Sequence, residues 1–167
     1  MQFLFSGEGA TDLGVCSSDV NMCRGRDFLH GPWAMIVDQL VERRQEYSPL
    51  DSTASAGRGL WAEKRKSMLD GFEREGFRRG VPMLPNPKSE AWLLCAVKKH
   101  YMNCASLEDR SGNDDSPYSL KMEVQRHFGH RPSREQLCQM VTDGKIDALR
   151  IDMPSFRAFT DRLDDVI

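Results

Sequence analysis

A short apolar run, Gln2-Phe3-Leu4-Phe5, opens the chain and breaks at Gly7, the pattern of a buried strand delivered into a turn. Polar, irregular residues from 15 to 30 read as a loop. Gly31-Pro32 then starts a helix, with proline at a first-turn position that needs no N–H. Trp33, Ile36, Val37, Leu40 and Val41 recur at helical spacing and carry that helix to about Arg44. Residues 43 to 59 hold no strand-like run. The pattern resumes as a helix over Leu60 to Gly76, with Leu60, Met68, Leu69 and Phe72 inward, and then as a short strand, Val81-Pro82-Met83-Leu84. Pro82 confines that strand to an edge or a strand start, because it cannot donate to a ladder.

The turn Pro85-Asn86-Pro87-Lys88 hands over to a helix from Ser89 to about His100, where Glu90, Leu93, Leu94 and Val97 share one face. A loop dense in acids and turn formers spans 105 to 116. Ser116-Pro117 reads as the cap of a helix running through Phe128, with Gly129 just past its end. Ser133-x-x-Gln136 resembles a capping box for a helix to Thr142, closed by Asp143-Gly144. Ile146 to Ile151 fits a short strand or an extended connection. Pro154 opens a last amphipathic helix through Phe156, Phe159, Leu163 and Val166. The pattern predicts an α/β chain whose C-terminal half is mostly helical.

Composition narrows the classes. At 167 residues, with 40% hydrophobic and 29% charged positions, the chain is one domain able to bury a core. A net charge of −2 gives no global attraction to nucleic acid, so any such contact needs a local basic patch or a metal bridge. No apolar run reaches the length of a membrane span, and the N-terminus has no basic segment followed by a cleavage site. The expectation is a cytoplasmic protein with no membrane partner. The cysteines at 16, 23, 95, 104 and 138 are scattered and odd in number, without a Cys-x-x-Cys pair, and read as free thiols.

Candidate chemistry begins at the first turn. Gly7 and Gly9 bracket Glu8, and Asp12 follows four residues later. Two carboxylates at a strand-end crevice suit a hard cation such as Mg²⁺; a strand-to-helix turn with two solvated acids is the plainer alternative. A phosphate-cradling loop is excluded: Asp12 stands where a dinucleotide fingerprint needs its third glycine, and no Gly-Lys-Ser/Thr follows. Two acids would also repel a bare phosphate unless a metal lay between them. Glu90 lies in line with an apolar stripe at a helix start, either as an acid favoured by the helix dipole or as part of a site. Lys64, Arg65, Lys66 and Arg74, followed by Arg78 and Arg79, make one helix face basic, a solvated surface or a patch facing phosphates.

The block Glu8-Gly9-Ala10-Thr11-Asp12 after a hydrophobic strand resembles the first motif of the TOPRIM (topoisomerase–primase) fold, which also occurs in overcoming-lysogenization-defect nucleases and RNase M5-type maturases. The later block Pro87-Lys88-Ser89-Glu90-Ala91-Trp92-Leu93-Leu94 is similar to one in small prokaryotic TOPRIM-like proteins, some associated with phage defence. With Ser111-Gly112-Asn113-Asp114 and Asp152-Met153-Pro154-Ser155-Phe156, the resemblance touches most of the chain.

The resemblance implies a small, mainly parallel TOPRIM-like sheet flanked by helices. Residues 1–104 would form the α/β core, incomplete near 43–59, and 105–167 a helical extension packed on it. It further implies a Mg²⁺- or Mn²⁺-dependent nuclease, a hydrolase of phosphodiester bonds with DNA ahead of RNA as substrate and an ATPase as partner. Glu8 would be a metal ligand or general base, Asp12, Glu90 and Asp51 further metal-site acids, and Lys88 a cation for developing phosphate charge. Lys64, Arg65, Arg78 and Arg79 would contact nucleic acid.

One departure stands out. TOPRIM domains carry a second motif, a strand ending in Asp-x-Asp, yet the aspartates between Arg43 and Pro85 are Asp51 and Asp70, in no such pair. Asp51 stands near the right place, in Pro-Leu-Asp-Ser-Thr-Ala-Ser, which is no strand end. Either the chain is a degenerate TOPRIM or a segment is absent near residues 50 to 53. The missing pair favours the alternative function, a catalytically degenerate binding or regulatory subunit. A phosphotransfer or primase-type role finds no nucleotide-base pocket in the sequence.

Overall fold

A computed structural model describes residues 4–6, 14–16, 28–45, 61–98, 103–110 and 112–167. Strand β1 is Leu4–Ser6, β2 is Gly14–Cys16 and β3 is Phe28–His30. Helix α1 spans Pro32–Gln45 and α2 spans Trp61–Arg74. After the short strand β4, Gly80–Pro82, come α3 at Ser89–Val97, α4 at Leu120–Phe128, α5 at Arg134–Thr142 and α6 at Pro154–Val166.

Helices dominate the described residues, and this corrects the expected sheet. A mainly parallel TOPRIM-like sheet is not formed among them; the strands are three-residue segments in two separate pairs. β1 and β4 run parallel, with Leu4 opposite Gly80 and Ser6 opposite Pro82. β2 and β3 run antiparallel, with Gly14 opposite His30 and Cys16 opposite Phe28. The physical reason is visible in α3. Ala91, Trp92, Leu93, Leu94, Cys95 and Ala96 are all buried, so this helix is apolar all round and must be enclosed by other elements. Among the described residues α3 packs beside α4 and the short 3-10 turns Cys104–Leu107 and Ala148–Arg150, and the core that contains it takes Trp33, Ile36, Val37 and Leu40 from α1, Val81 from β4, and Phe156, Phe159 and Leu163 from α6. A helix buried on every side removes the need for a wide sheet to cover it. The expected single stripe of Leu93, Leu94 and Val97 is therefore only part of what α3 buries.

Trp92, 0% exposed, is the centre of this core. Its ring meets Trp33 at 5.5 Å and Phe156 at 5.0 Å, both edge-on, and Phe159 at 5.9 Å. Such edge-to-face pairs add stabilisation beyond the area they bury. The indole Nε1 donates to Ser155 Oγ at 2.8 Å, which leaves neither buried polar atom without a partner.

Local signals set several boundaries. Ser133 Oγ accepts from Gln136 N while Ser133 N donates to Gln136 Oε1, a complete capping box at the start of α5. Gly129 closes α4 at φ +75°, a conformation that costs glycine nothing. Three expectations shift. The cap of α4 is Ser119, whose hydroxyl accepts from Met122 N, rather than Ser116. The segment 15–30 holds parts of β2 and β3. Residues 146–151 contain a tight 3-10 turn, Ala148–Arg150, held by Asp147, rather than a strand.

The thiols also differ from expectation. Cys95 at the end of α3 and Cys104 in the following 3-10 turn form a disulfide, with Cα atoms 5.6 Å apart, inside the span a bridge tolerates. Cys138 is free, and burial raises its thiol pKa. Among the described residues no helix is long and apolar enough to cross a membrane.

The join between α2 and β4 is tight. A methyl group at Gly80 would lie 2.2 Å from Phe72 Cγ and 2.7 Å from Phe72 Cβ. Atoms so close to the backbone cannot swing aside, so the helix itself must shift. Gly80→Ala is expected to destabilise by about 1–3 kcal/mol, read as a lower urea midpoint. An unchanged midpoint would mean that α2 yields freely against β4.

Candidate functional site

The parallel pair positions the candidate segments. β4 ends at Pro82, and the chain passes through Asn86-Pro87-Lys88 into α3. Lys88 sits in extended backbone, φ −153°, immediately before the helix. Its ammonium donates to Asp114 Oδ1 at 2.8 Å, and Lys121 from α4 donates to the other oxygen, Asp114 Oδ2, at 2.8 Å. One carboxylate thus holds two lysines and ties the entry of α3 to α4.

Hydrogen bonds from Lys121 and then from Lys88 hold the Asp114 carboxyl below the ordinary aspartate range. A depressed pKa contributes stability that is present above the unfolded-state value and is lost as pH falls through the folded one. Asp114 is largely solvent-exposed, so this contribution is screened. Lys121→Met is expected to move the Asp114 titration upward in an NMR pH series. A curve that does not move would remove Lys121 as its main partner.

Glu90 occupies the first turn of α3, half-buried, and lines a cavity of about 250 Å³. Lys121 of α4, Arg131 before α5 and Arg134 at its start line the same cavity, whose apolar wall includes Trp33 of α1 and Leu93 of α3. Arg134 donates through Nη2 to His30 O at 2.5 Å and through Nη1 to Glu135 at 3.3 Å. Its buried Nε has no hydrogen-bond partner among the described residues.

The other expected site residues are distributed as follows. Glu8, Asp12 and Asp51 lie outside the described residues, as does the point near 50–53 where a segment was expected to be absent. Lys64 and Arg65 are on α2, half-buried, while Arg78 and Arg79 are exposed in the turn after it; none of the four lines the cavity. Among the described residues no group of three or more His, Cys, Asp and Glu side chains could hold a metal ion. Glu90 shares its cavity with three cations, surroundings that repel a divalent ion, and does not fit as a metal ligand there.

Sequence reasoning missed Asp114 as the anchor of Lys88, although it stands in the acid-rich loop. It also missed Arg131 and Arg134. Their only signal is position beside the Ser133 cap, which says where α5 starts but not what it faces.

No family model, no curated protein and no solved structure matches this chain.

Proposed function

We propose that this chain is a metal-dependent nuclease that hydrolyses phosphodiester bonds, with DNA ahead of RNA as substrate. One observation carries the reading. Because β1 and β4 are parallel, the chain leaves both strands at the same edge. Glu8 and Asp12 follow β1 in the sequence, and Lys88 follows β4. Carboxyl ends of neighbouring parallel strands are where α/β proteins gather their ligands.

The carboxylates of Glu8, Asp12 and Asp51 are hard oxygen donors, a chemistry that fits Mg²⁺ or Mn²⁺; Glu90 is left out of that set. When bound, such an ion would polarise the phosphate and acidify water. Glu8 would accept the proton of the attacking water. Lys88 would offset charge on the phosphate oxygens, exchanging its partner Asp114 for the substrate. A prokaryotic phage-defence setting and an ATPase partner extend the same motif resemblance.

The test is cleavage of supercoiled plasmid and of single-stranded DNA with Mg²⁺ or Mn²⁺, comparing the protein with Glu8→Ala. Metal-dependent cutting that Glu8→Ala abolishes is the expected result. Absence of cutting by the unaltered protein would overturn it. A second reading, a binding or regulatory subunit, is favoured by the commitment of Lys88 to Asp114, which leaves that ammonium occupied without any substrate.

A further inference from the structure

The bridge between Cys95 and Cys104 fastens one end of a strap that the nuclease reading does not use. Cys95 lies in the last turn of α3, and Cys104 opens the 3-10 turn Cys104–Leu107. The residues that follow are each committed to a different part of the fold. Leu107 is fully buried in the core. Glu108 accepts from Ser155 N in the first turn of α6 at 2.7 Å and from Asn86 Nδ2 at 3.3 Å. Arg110 pairs with Glu123 of α4 at 2.5 Å, and the other oxygen of Glu123 takes Lys98, just past α3. Residues 104–110 thus join the end of α3 to α4, to the start of α6 and to the turn that leads into Lys88.

We infer that this bridge is a reversible redox switch that sets the hold of the strap on α6 and on the turn before α3. Two features suit it to opening. Cys95 Sγ lies 3.3 Å from Arg150 O. A bridged sulfur has no hydrogen to give, whereas a thiol there donates a weak S–H, so the reduced form finds its acceptor already in place. Cys104 is the more exposed partner, at 6% against 1%, in a turn where Asn103 and Ser106 are exposed; it is the sulfur a reductant meets first. A thiolate of a dithiol attacks Cys104 Sγ, the bond to Cys95 breaks, and the departing Cys95 thiolate takes a proton and turns to Arg150 O. The second thiol of the reductant then closes its own disulfide and releases Cys104 as a thiol, so two electrons and two protons pass to the protein. A crosslink acts by restricting chain freedom. Its loss lets Glu108 exchange Ser155 and Asn86 for water.

Amide NMR and hydrogen exchange of the full chain, without denaturant or divalent ion, test this apart from nuclease activity. Dithiothreitol is expected to reduce the folded protein, with Cys95 and Cys104 then identified by alkylation and peptide mapping. Reduction should shift the amides of residues 86–90 and make Ser155 N–H exchange about tenfold faster, and glutathione disulfide should restore the first spectrum. Cys104→Ser, which cannot form the bridge, should show the reduced pattern in either buffer. A bridge that resists dithiothreitol until the chain is denatured would overturn the switch, as would reduction that unfolds the whole protein. Shifts confined to residues 95–108 would overturn the coupling. A response to reductant at residues 86–90 that survives Cys104→Ser would place the switch at another cysteine and overturn the assignment.

Discussion

Trp92→Ala is expected to destabilise the protein by about 3–5 kcal/mol, the range for removing a fully buried large aromatic side chain. Trp92 is 0% exposed and touches aromatic rings from two other helices, Trp33 of α1 and Phe156 and Phe159 of α6. The cavity left behind would be bordered by three separate elements, so no single side chain can relax to fill it. Ser155 Oγ would also lose the indole donor that reaches it at 2.8 Å. For a chain of this length each kcal/mol moves the melting temperature by about 2–4 °C, so a drop of roughly 10 °C is the readout. Trp92→Phe keeps most of the ring contacts and loses the N–H, and should cost about half as much or less. A Trp92→Ala loss below about 1 kcal/mol would show that α3 is not the keystone of the core.

The elements and the way they assemble were legible in the sequence to different degrees. Pro32 and the spacing of Trp33, Ile36, Val37 and Leu40 mark α1, and Ser133 with Gln136 marks α5, because caps and helical periodicity act within a few residues. β1 and β4 also show as short apolar runs. Their pairing does not, since it joins Leu4 to Gly80, and nothing local to either strand names its partner. The expectation of a mainly parallel sheet came from motif resemblance, and it failed because the described strands form only two separate three-residue pairs while helices supply most of the core around α3.

β2 and β3 were invisible because three residues cannot display an alternation. The disulfide was hidden for a related reason. Cys95 and Cys104 are nine positions apart, and only the end of α3 and the turn after it bring them together. Of the candidate site, Lys88 and Glu90 were found from sequence. Asp114, Arg131 and Arg134 were not, because their importance depends on which face of a helix or loop meets α3. Glu8, Asp12 and Asp51 rest on the motif alone.

Glu108→Ala is expected to cost about 2–3 kcal/mol, a large effect for one half-buried residue that the motifs did not single out. Its two carboxylate oxygens serve different elements. Oε1 accepts from Ser155 N at 2.7 Å, and Oε2 accepts from Asn86 Nδ2 at 3.3 Å. Ser155 N belongs to the first turn of α6, where backbone N–H groups have no partner within the helix, and Met153 provides no side-chain cap. Glu108 therefore caps α6 from a remote loop, and its charge is also favoured by the helix N-terminus. Hydrogen bonds to charged groups contribute about 1.5–3 kcal/mol, and alanine would leave both donors unanswered.

Asn86 opens the turn that delivers Lys88 and Glu90 to α3, so the same carboxylate connects the core to the candidate site. Glu108→Ala should thus lower the urea midpoint and also shift the amide resonances of residues 86–90, while Asp109→Ala, an exposed neighbour, should stay within about 0.5 kcal/mol of the unaltered protein. A change confined to Ser155 and its helix would mean that Glu108 acts only as a cap. Movement at both ends would identify Glu108 as the brace that couples α6 to the turn before α3.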